Sequence, residues 1–391
     1  GNAQLGDSGT YRVIASNAAT SKTSNGATLT VLQDAYPRLA PLWNLPPGSR
    51  PYVTVDISNT PNLRDIAHYA PSNHLYVLSR TNSETGSTEA QIYVLDATTG
   101  AQVDQLNTDP GVIFGGQSAG ALHLVSMDVA EDGAVYACNV STTETFPDAF
   151  KLYRWSSGVT SAVPANIFEG TPVTSFAAER WGDTLHARGW GGNTEVVVDS
   201  SAGNWSAVFN AASWSTPQYV ANLYGAGSIG RSLKFGGANT LWQKRLGAGL
   251  LLTSYDLGTG AGQVITNYNN FGSALGPVGF DLTTNLLAGI EFASSSDTPD
   301  TLNLYEVSDL SAPLLLAKYD FPTNHQANAN AIGEVLWAGD KVFALDANNG
   351  LAAFTLVPFT PTPSLTITAS EGSVVISWPT NAAGFTLQAT P

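Results

Sequence analysis

A single cysteine, Cys138, in 391 residues excludes an intrachain disulfide. Charge is scarce as well. Only 12% of residues are Asp, Glu, Lys or Arg, against roughly 25% in an average soluble chain, so Ser, Thr, Asn, Gln and Gly must supply most of the polar surface. Basic residues are scarcest: 16 Lys and Arg against 31 Asp and Glu give a net charge of −15, which argues against nucleic acid or anionic lipid as a partner. No run of about 18 apolar residues is present, so no membrane-inserted helix is expected. Long amphipathic stretches with 3.6-residue spacing are also missing, which removes helical architectures.

Several chemical signatures are absent. The five histidines, at 68, 74, 123, 186 and 325, form no i,i+2 or i,i+4 pair, and no D-x-D-x-D-G loop occurs, so neither a metal nor a cofactor is expected from the sequence. Cys138 lies in the strand-like run Val135–Val140 with no His/Asp set beside it, and reads as a buried, inert thiol.

What is present points to an all-β protein. Hydrophobic residues make up 43% of the chain, enough for a large core. Apolar runs of four to seven residues recur between turns rich in the 38 Gly and 21 Pro. Within residues 33–357 one mark returns about every 50 residues, an apolar strand followed by a turn. Its copies are Ile92–Gly100, Leu152–Gly158, Val196–Gly203, Leu252–Gly258, Leu302–Ser308 and Ala353–Leu356. Each is preceded by two further strand-like runs and usually followed by one, the arrangement of a four-stranded propeller blade. The sixth copy lacks its outer strand, and Leu39–Leu45 is the natural donor. The expected fold is a six-bladed β-propeller closed by an N-terminal strand.

The ends read as parts of other modules. In residues 1–32, Asp7-x-Gly9-x-Tyr11 resembles the tyrosine corner of an immunoglobulin I-set domain, with Val13 where that family has its Cys. Strands F and G would be present. Residues 358–363 form a Pro/Thr linker. Residues 364–391, with Trp378 as an anchor, resemble the opening strands of a fibronectin-III-like sandwich. Partial β-sandwich modules are therefore expected at both ends. Across roughly residues 36–357, the segments Ala40–Trp43 with Gly48–Tyr52, Phe150–Trp155, Arg180–Asp183 and Val342–Gly350 are similar to an uncharacterised family of secreted bacterial propeller-like proteins, often flanked by immunoglobulin-like modules. The resemblance implies the fold and an extracellular or cell-surface location, which low Cys, low Lys and the Thr/Asn-rich composition also suggest. It implies no activity.

Candidate chemistry is sparse. Gly116-Gln-Ser118-Ala-Gly120 matches the nucleophile-elbow pattern, but the residues after it alternate like a strand rather than a helix, and a Gly-rich loop is the simpler reading. Asp199–Trp205 only loosely resembles a sialidase Asp box. Asp183, Asp281, Glu291 and Glu334 sit near strand ends, where turn-capping or surface roles are expected. Aromatic residues in the expected loops stand out more: Trp214, Tyr219, Tyr224 and Phe271, with His325, in loops that enter a blade, and Trp190 in a loop between second and third strands, two sets that share one face of a propeller. Rings among amides and hydroxyls suit sugar binding. The favoured function is a noncatalytic recognition or scaffold module in a larger secreted or surface protein, its partner a polysaccharide or an extracellular protein. The alternative is a glycoside hydrolase or polysaccharide lyase on the same loop face, which would need a carboxylate pair in a central pocket.

Overall fold

Short apolar runs between turn residues become antiparallel strands, and the turns decide where each strand stops. In the computed structural model, Asn73, Asn239 and Asn285 take up left-handed φ angles of 55°, 55° and 56°. Each sits in the turn that joins the first two strands of a sheet, a conformation Asn tolerates better than other non-glycine residues. In two of the turns between third and fourth strands, an aspartate does the work: Asp96 accepts from the N–H groups of Thr98 and Thr99, and Asp256 from those of Gly258 and Thr259. In blades 1 and 4 this device underlies the recurring strand-then-turn mark.

The structure describes residues 9–11, 14–16, 20–23, 27–29, 37–53, 62–80, 90–113, 123–140, 149–156, 160–170, 172, 181–200, 205–221, 232–281, 283–293, 298–321, 328, 331–357, 366–370 and 373–377. The chain divides into two compact units, one of residues Leu39–Leu356 and one of Gly1–Arg38 with Val357–Pro391.

The larger unit contains a propeller of six four-stranded antiparallel sheets. From the innermost strand outward, blade 1 is Leu63–Tyr69, His74–Ser79, Gln91–Asp96 and Gln102–Gln105. Blade 2 is Ser126–Val129, Val135–Cys138, Phe150–Trp155 and Ala165–Gly170. Blade 3 is Trp181–Arg188, Glu195–Ser200, Trp205–Asn210 and Ser213–Ala221. Blade 4 is Ser232–Phe235, Thr240–Lys244, Leu250–Asp256 and Ala261–Tyr268. Blade 5 is Leu275–Asp281, Leu286–Glu291, Thr301–Glu306 and Leu314–Asp320. Blade 6 is Gly333–Ala338, Lys341–Asp346 and Gly350–Val357, with Arg38–Leu45 fourth in the same sheet. One assignment differs from the sequence reading. The run at Val196–Asp199 is the second strand of blade 3, not the third, because the true third strand, Trp205–Asn210, follows it. In the smaller unit, Gly9–Tyr11 pairs with Ala27–Leu29, Ile14–Ser16 with Ser21–Thr23, and Thr366–Ser370 with Ser373–Ser377. The linker at 358–363 and Trp378 lie outside the described residues.

The core of the propeller is distributed over its blade junctions. Six apolar clusters lie one to a junction. Leu78, Ile92 and Val94 of blade 1 meet Met127, Tyr153 and Trp155 of blade 2. Phe343 and Leu345 of blade 6 meet Val77 and Leu95 of blade 1, which closes the circuit. Among the described residues, the junction of blades 3 and 4 has five buried apolar residues against fourteen between blades 1 and 2. A polar set reinforces it: Arg188 pairs with Glu195 at 2.7 Å, donates to the Tyr255 hydroxyl at 3.1 Å and lies 4.0 Å over the Phe235 ring.

At Gly182 two blades approach closely enough to require glycine. Gly182 has φ +93°, and a Cβ there would overlap the Asn139 carbonyl of the preceding blade. Gly182→Ala is expected to lower the unfolding free energy by about 1–3 kcal/mol. Gly272→Ala, with open space around it, should change it by less than about 0.5 kcal/mol. Chemical denaturation of both variants checks the contrast.

Candidate functional site

Inner strands that converge on one axis place their side chains in a confined space, where polar groups must find partners. Asp65 of blade 1 accepts from Ser126 Oγ and the Met127 N–H of blade 2, both at 2.8 Å. Asp128 of blade 2 accepts from the Ala187 N–H of blade 3 at 3.0 Å. His186 of blade 3 accepts at Nδ1 from the Phe235 N–H of blade 4 at 3.2 Å. Ser232 of blade 4 donates to the Val278 carbonyl of blade 5 at 3.0 Å and accepts from the Val278 N–H at 2.6 Å. Trp337 of blade 6 donates through its indole N–H to the Gly279 carbonyl of blade 5 at 3.0 Å. Side chains thus stitch the inner strands together at five of the six blade junctions.

The same residues form a charged centre. Lys234 Nζ lies 3.1 Å from Glu334 Oε1. Burial works to lower the Lys234 pKa, but Glu334, Asp128 and Asp65 outweigh it and hold the ammonium above its ordinary value. Burial raises all three carboxyls, and the neighbouring Glu334 pushes Asp65 further, well above the usual carboxylate range. His186 goes the other way. Burial, then Lys234 and Arg188, keep its pKa well below the ordinary value. With Nδ1 accepting from Phe235, the proton of this neutral imidazole sits on Nε2, 3.4 Å from Asp128 Oδ2.

Over this centre opens a pocket of about 960 Å³. All six blades line it, at the end where each inner strand turns into the second strand. Trp242, Phe280 and Trp337 provide apolar wall, with Trp242 and Phe280 ring centroids 5.2 Å apart. Trp190 stands at the rim and is 64% exposed. Its turn is held firmly. The Gly189 N–H donates to Glu131, and the Gly191 N–H donates to Asp132 Oδ2 at 3.0 Å, both carboxylates belonging to the corresponding turn of blade 2. Gly189, at φ +94°, could carry no side chain without striking the Asn193 carbonyl. An exposed indole is therefore held between two clamped backbone amides.

The six residues singled out from sequence fall in different places. Trp190 lines the pocket, but from the turn between the first and second strands rather than from a loop between the second and third. The displaced assignment of Val196–Asp199 explains that shift. Trp214 lies in the outer strand of blade 3, half-buried and 5.6 Å from the Tyr136 ring. Tyr219 belongs to the same outer strand, not to the loop that follows it. Phe271 is a core residue, 4% exposed and edge-on to Tyr305. Tyr224 and His325 lie outside the described residues, as does the Gly116–Gly120 motif. Asp281 caps its turn as expected, accepting from Thr283 and Thr284. Glu291 pairs with Lys318 at 2.6 Å. Glu334 does not cap a turn: it is the buried partner of Lys234. Lys234, Asp128 and His186 carried no motif. Their only signal was a polar residue within an otherwise apolar inner strand, in Ser126–Val129, Leu185–Ala187 and Leu233–Phe235.

Among solved structures, the chain is similar to a DUF4623 family protein from Bacteroides eggerthii DSM 20697, with 14% identity over 89% of this chain and 82% of that one and a TM-score of 0.58. It is also similar to the β-propeller domain of Cps50 (Swd1) from Myceliophteria thermophila, at 10% identity over 76% and 97% of the two chains and a TM-score of 0.45. A chain of a nidogen/laminin complex matches at 11% identity over 73% and 84%, TM-score 0.39. The first of these likenesses supports the fold alone. No protein-family model and no curated protein matches the chain. No helix among the described residues is long and apolar enough to cross a membrane. No group of three or more His, Cys, Asp or Glu among the described residues is arranged to hold a metal.

Two measurements probe this interior. His68, which lines the pocket, has its pKa lowered to about 4 by burial and by the nearby Lys341 and His74. The unfolded chain takes up that proton near the ordinary 6.5, so this term favours folding above pH 6.5 and is lost as pH falls toward 4. The unfolding free energy of the wild type minus that of His68→Gln should accordingly shrink over that interval; a pH series of denaturation curves reads it. Cys138 is fully buried, donates to the Gly182 carbonyl at 3.6 Å, and has its thiol pKa pushed well up by burial and by Asp65, Asp183 and Asp199. Its reaction with a disulfide reagent should proceed only at the rate of unfolding, measured by thiol release against denaturant.

Proposed function

We propose that the propeller is a noncatalytic recognition module that holds a saccharide in the central pocket, within a larger secreted or cell-surface protein. The observation that carries this reading is Trp190, an exposed indole on a turn whose backbone is held by Glu131 and Asp132, at the mouth of a pocket with aromatic walls and a polar floor. A ring face packs on sugar C–H groups, while polar groups below meet hydroxyls. Holding the backbone of its turn beforehand removes part of the entropic cost of binding.

The enzymatic alternative, a glycan hydrolase or lyase, would require two carboxyls available to the substrate. The two carboxylates that line the pocket, Asp128 and Glu131, already accept backbone N–H groups from Ala187 and Val129 and from Gly189. That engagement favours binding over turnover. In this reading the strand at Arg38–Leu45 closes the ring, so that the axial pocket keeps its shape. The end segments are the immunoglobulin-like and fibronectin-III-like neighbours between which the propeller is displayed.

The test is a panel of soluble polysaccharides assayed for both retention and product release. Retention without release of shorter products is expected. Trp190→Ala should weaken the retained ligand roughly tenfold, the worth of one stacking ring, with an unchanged melting temperature. Retention unaffected by Trp190→Ala, or release of products, would remove this reading.

A further inference from the structure

The charge around the pocket narrows the ligand further, if the saccharide reading holds. Cation and anion are not balanced there. Lys234 is the lysine or arginine among the residues lining the pocket, and its ammonium is already paired with Glu334 at 3.1 Å. Asp128 adds a second carboxyl to its field and Asp65 a third. Both imidazoles on the pocket wall are neutral, His186 by burial, Lys234 and Arg188, and His68 by burial, Lys341 and His74. One ammonium, Lys234, thus faces the carboxyl groups of Glu334, Asp128 and Asp65, and Glu131 at the rim has no lysine or arginine beside it among the described lining residues. Asp132, which holds the Trp190 turn, adds a further negative charge beside the rim.

Four aromatic rings, of Trp190, Trp242, Trp337 and Phe280, stand among the other lining residues, while the Phe235 ring already carries the Arg188 guanidinium. Such faces attract cations, more strongly when water is excluded. An anionic sugar would instead meet carboxylates at both floor and rim, and a net charge of −15 over the whole chain would oppose its approach. We infer that the pocket takes a sugar bearing a free ammonium group, the class of N-deacetylated amino sugars, in preference to neutral N-acetylated or acidic uronate-containing chains.

Calorimetric titration of the full chain with three oligosaccharides of equal length tests this: a glucosamine oligomer, its N-acetylated counterpart and an oligogalacturonate. The glucosamine oligomer should bind roughly tenfold more tightly than the N-acetylated one, the worth of a partly desolvated cation–π contact, and the oligogalacturonate should bind most weakly. Glu131→Gln keeps an oxygen for the Gly189 N–H but removes the charge. It should narrow the preference for the amine to roughly threefold or less, with the melting temperature preserved. Asp128→Asn should do the same, and if that variant does not fold, Glu131→Gln decides. Equal binding of the amine and acetamide oligomers, or tightest binding of the oligogalacturonate, would overturn this inference while leaving saccharide recognition standing. Failure of all three to bind would overturn both.

Discussion

The hydrogen bonds that run from the side chains of one inner strand to the backbone of the next are the constraint on which this propeller depends. A four-stranded sheet can satisfy its own ladder, but nothing in that ladder fixes the angle to its neighbour. Apolar packing between blades is non-directional. Asp65, Asp128, His186, Ser232 and Trp337 each commit one polar group to the backbone of an adjacent blade, and such bonds hold only at one spacing and register. Breaking one strands a buried polar group, which costs about 1–3 kcal/mol.

This arrangement also makes the axis polar. Fixing strands with aspartates leaves carboxyl groups gathered in a buried centre, and Lys234 offsets them. Its ion pair with Glu334 reaches between blades 4 and 6, past blade 5, whose inner strand offers Gly279 and Phe280 at the pocket instead of charge. Asp128, His186 and Trp337 therefore serve both the stitching and the pocket. At the rim the logic repeats in a looser form. Glu131 and Asp132 of blade 2 hold the turn of blade 3, and that turn carries Trp190. What distinguishes the rim is that the residue so held faces solvent rather than a neighbour.

Much of the fold was legible in the sequence, because the turn chemistry repeats. Asp96 and Asp256, each followed by a small-residue turn, mark the third strands of blades 1 and 4, and alternating apolar runs before them mark the first two. Blade 3 misled because Asp199 also ends an apolar run, although that run is a second strand. The site was less legible. Trp190 could be selected as an aromatic flanked by glycines, but its place at the axis depends on knowing which turn it occupies. Lys234, Asp128 and His186 lie far apart along the chain, and nothing local distinguishes them from ordinary polar residues at strand ends. Trp214 and Phe271 show the converse: composition alone does not separate a ring that fills a blade junction from one that waits at a surface.

Trp190 and the axial pocket stand at the end of the ring formed by the turns between first and second strands, opposite to the loop face that the sequence favoured. The most direct measurement is a crystal structure of the chain grown with a bound oligosaccharide. A sugar ring is expected against the face of Trp190, with its ammonium group directed toward Asp128 and Glu131. A saccharide seated on the loops at the opposite end of the ring, with the axial pocket filled by water, would contradict it.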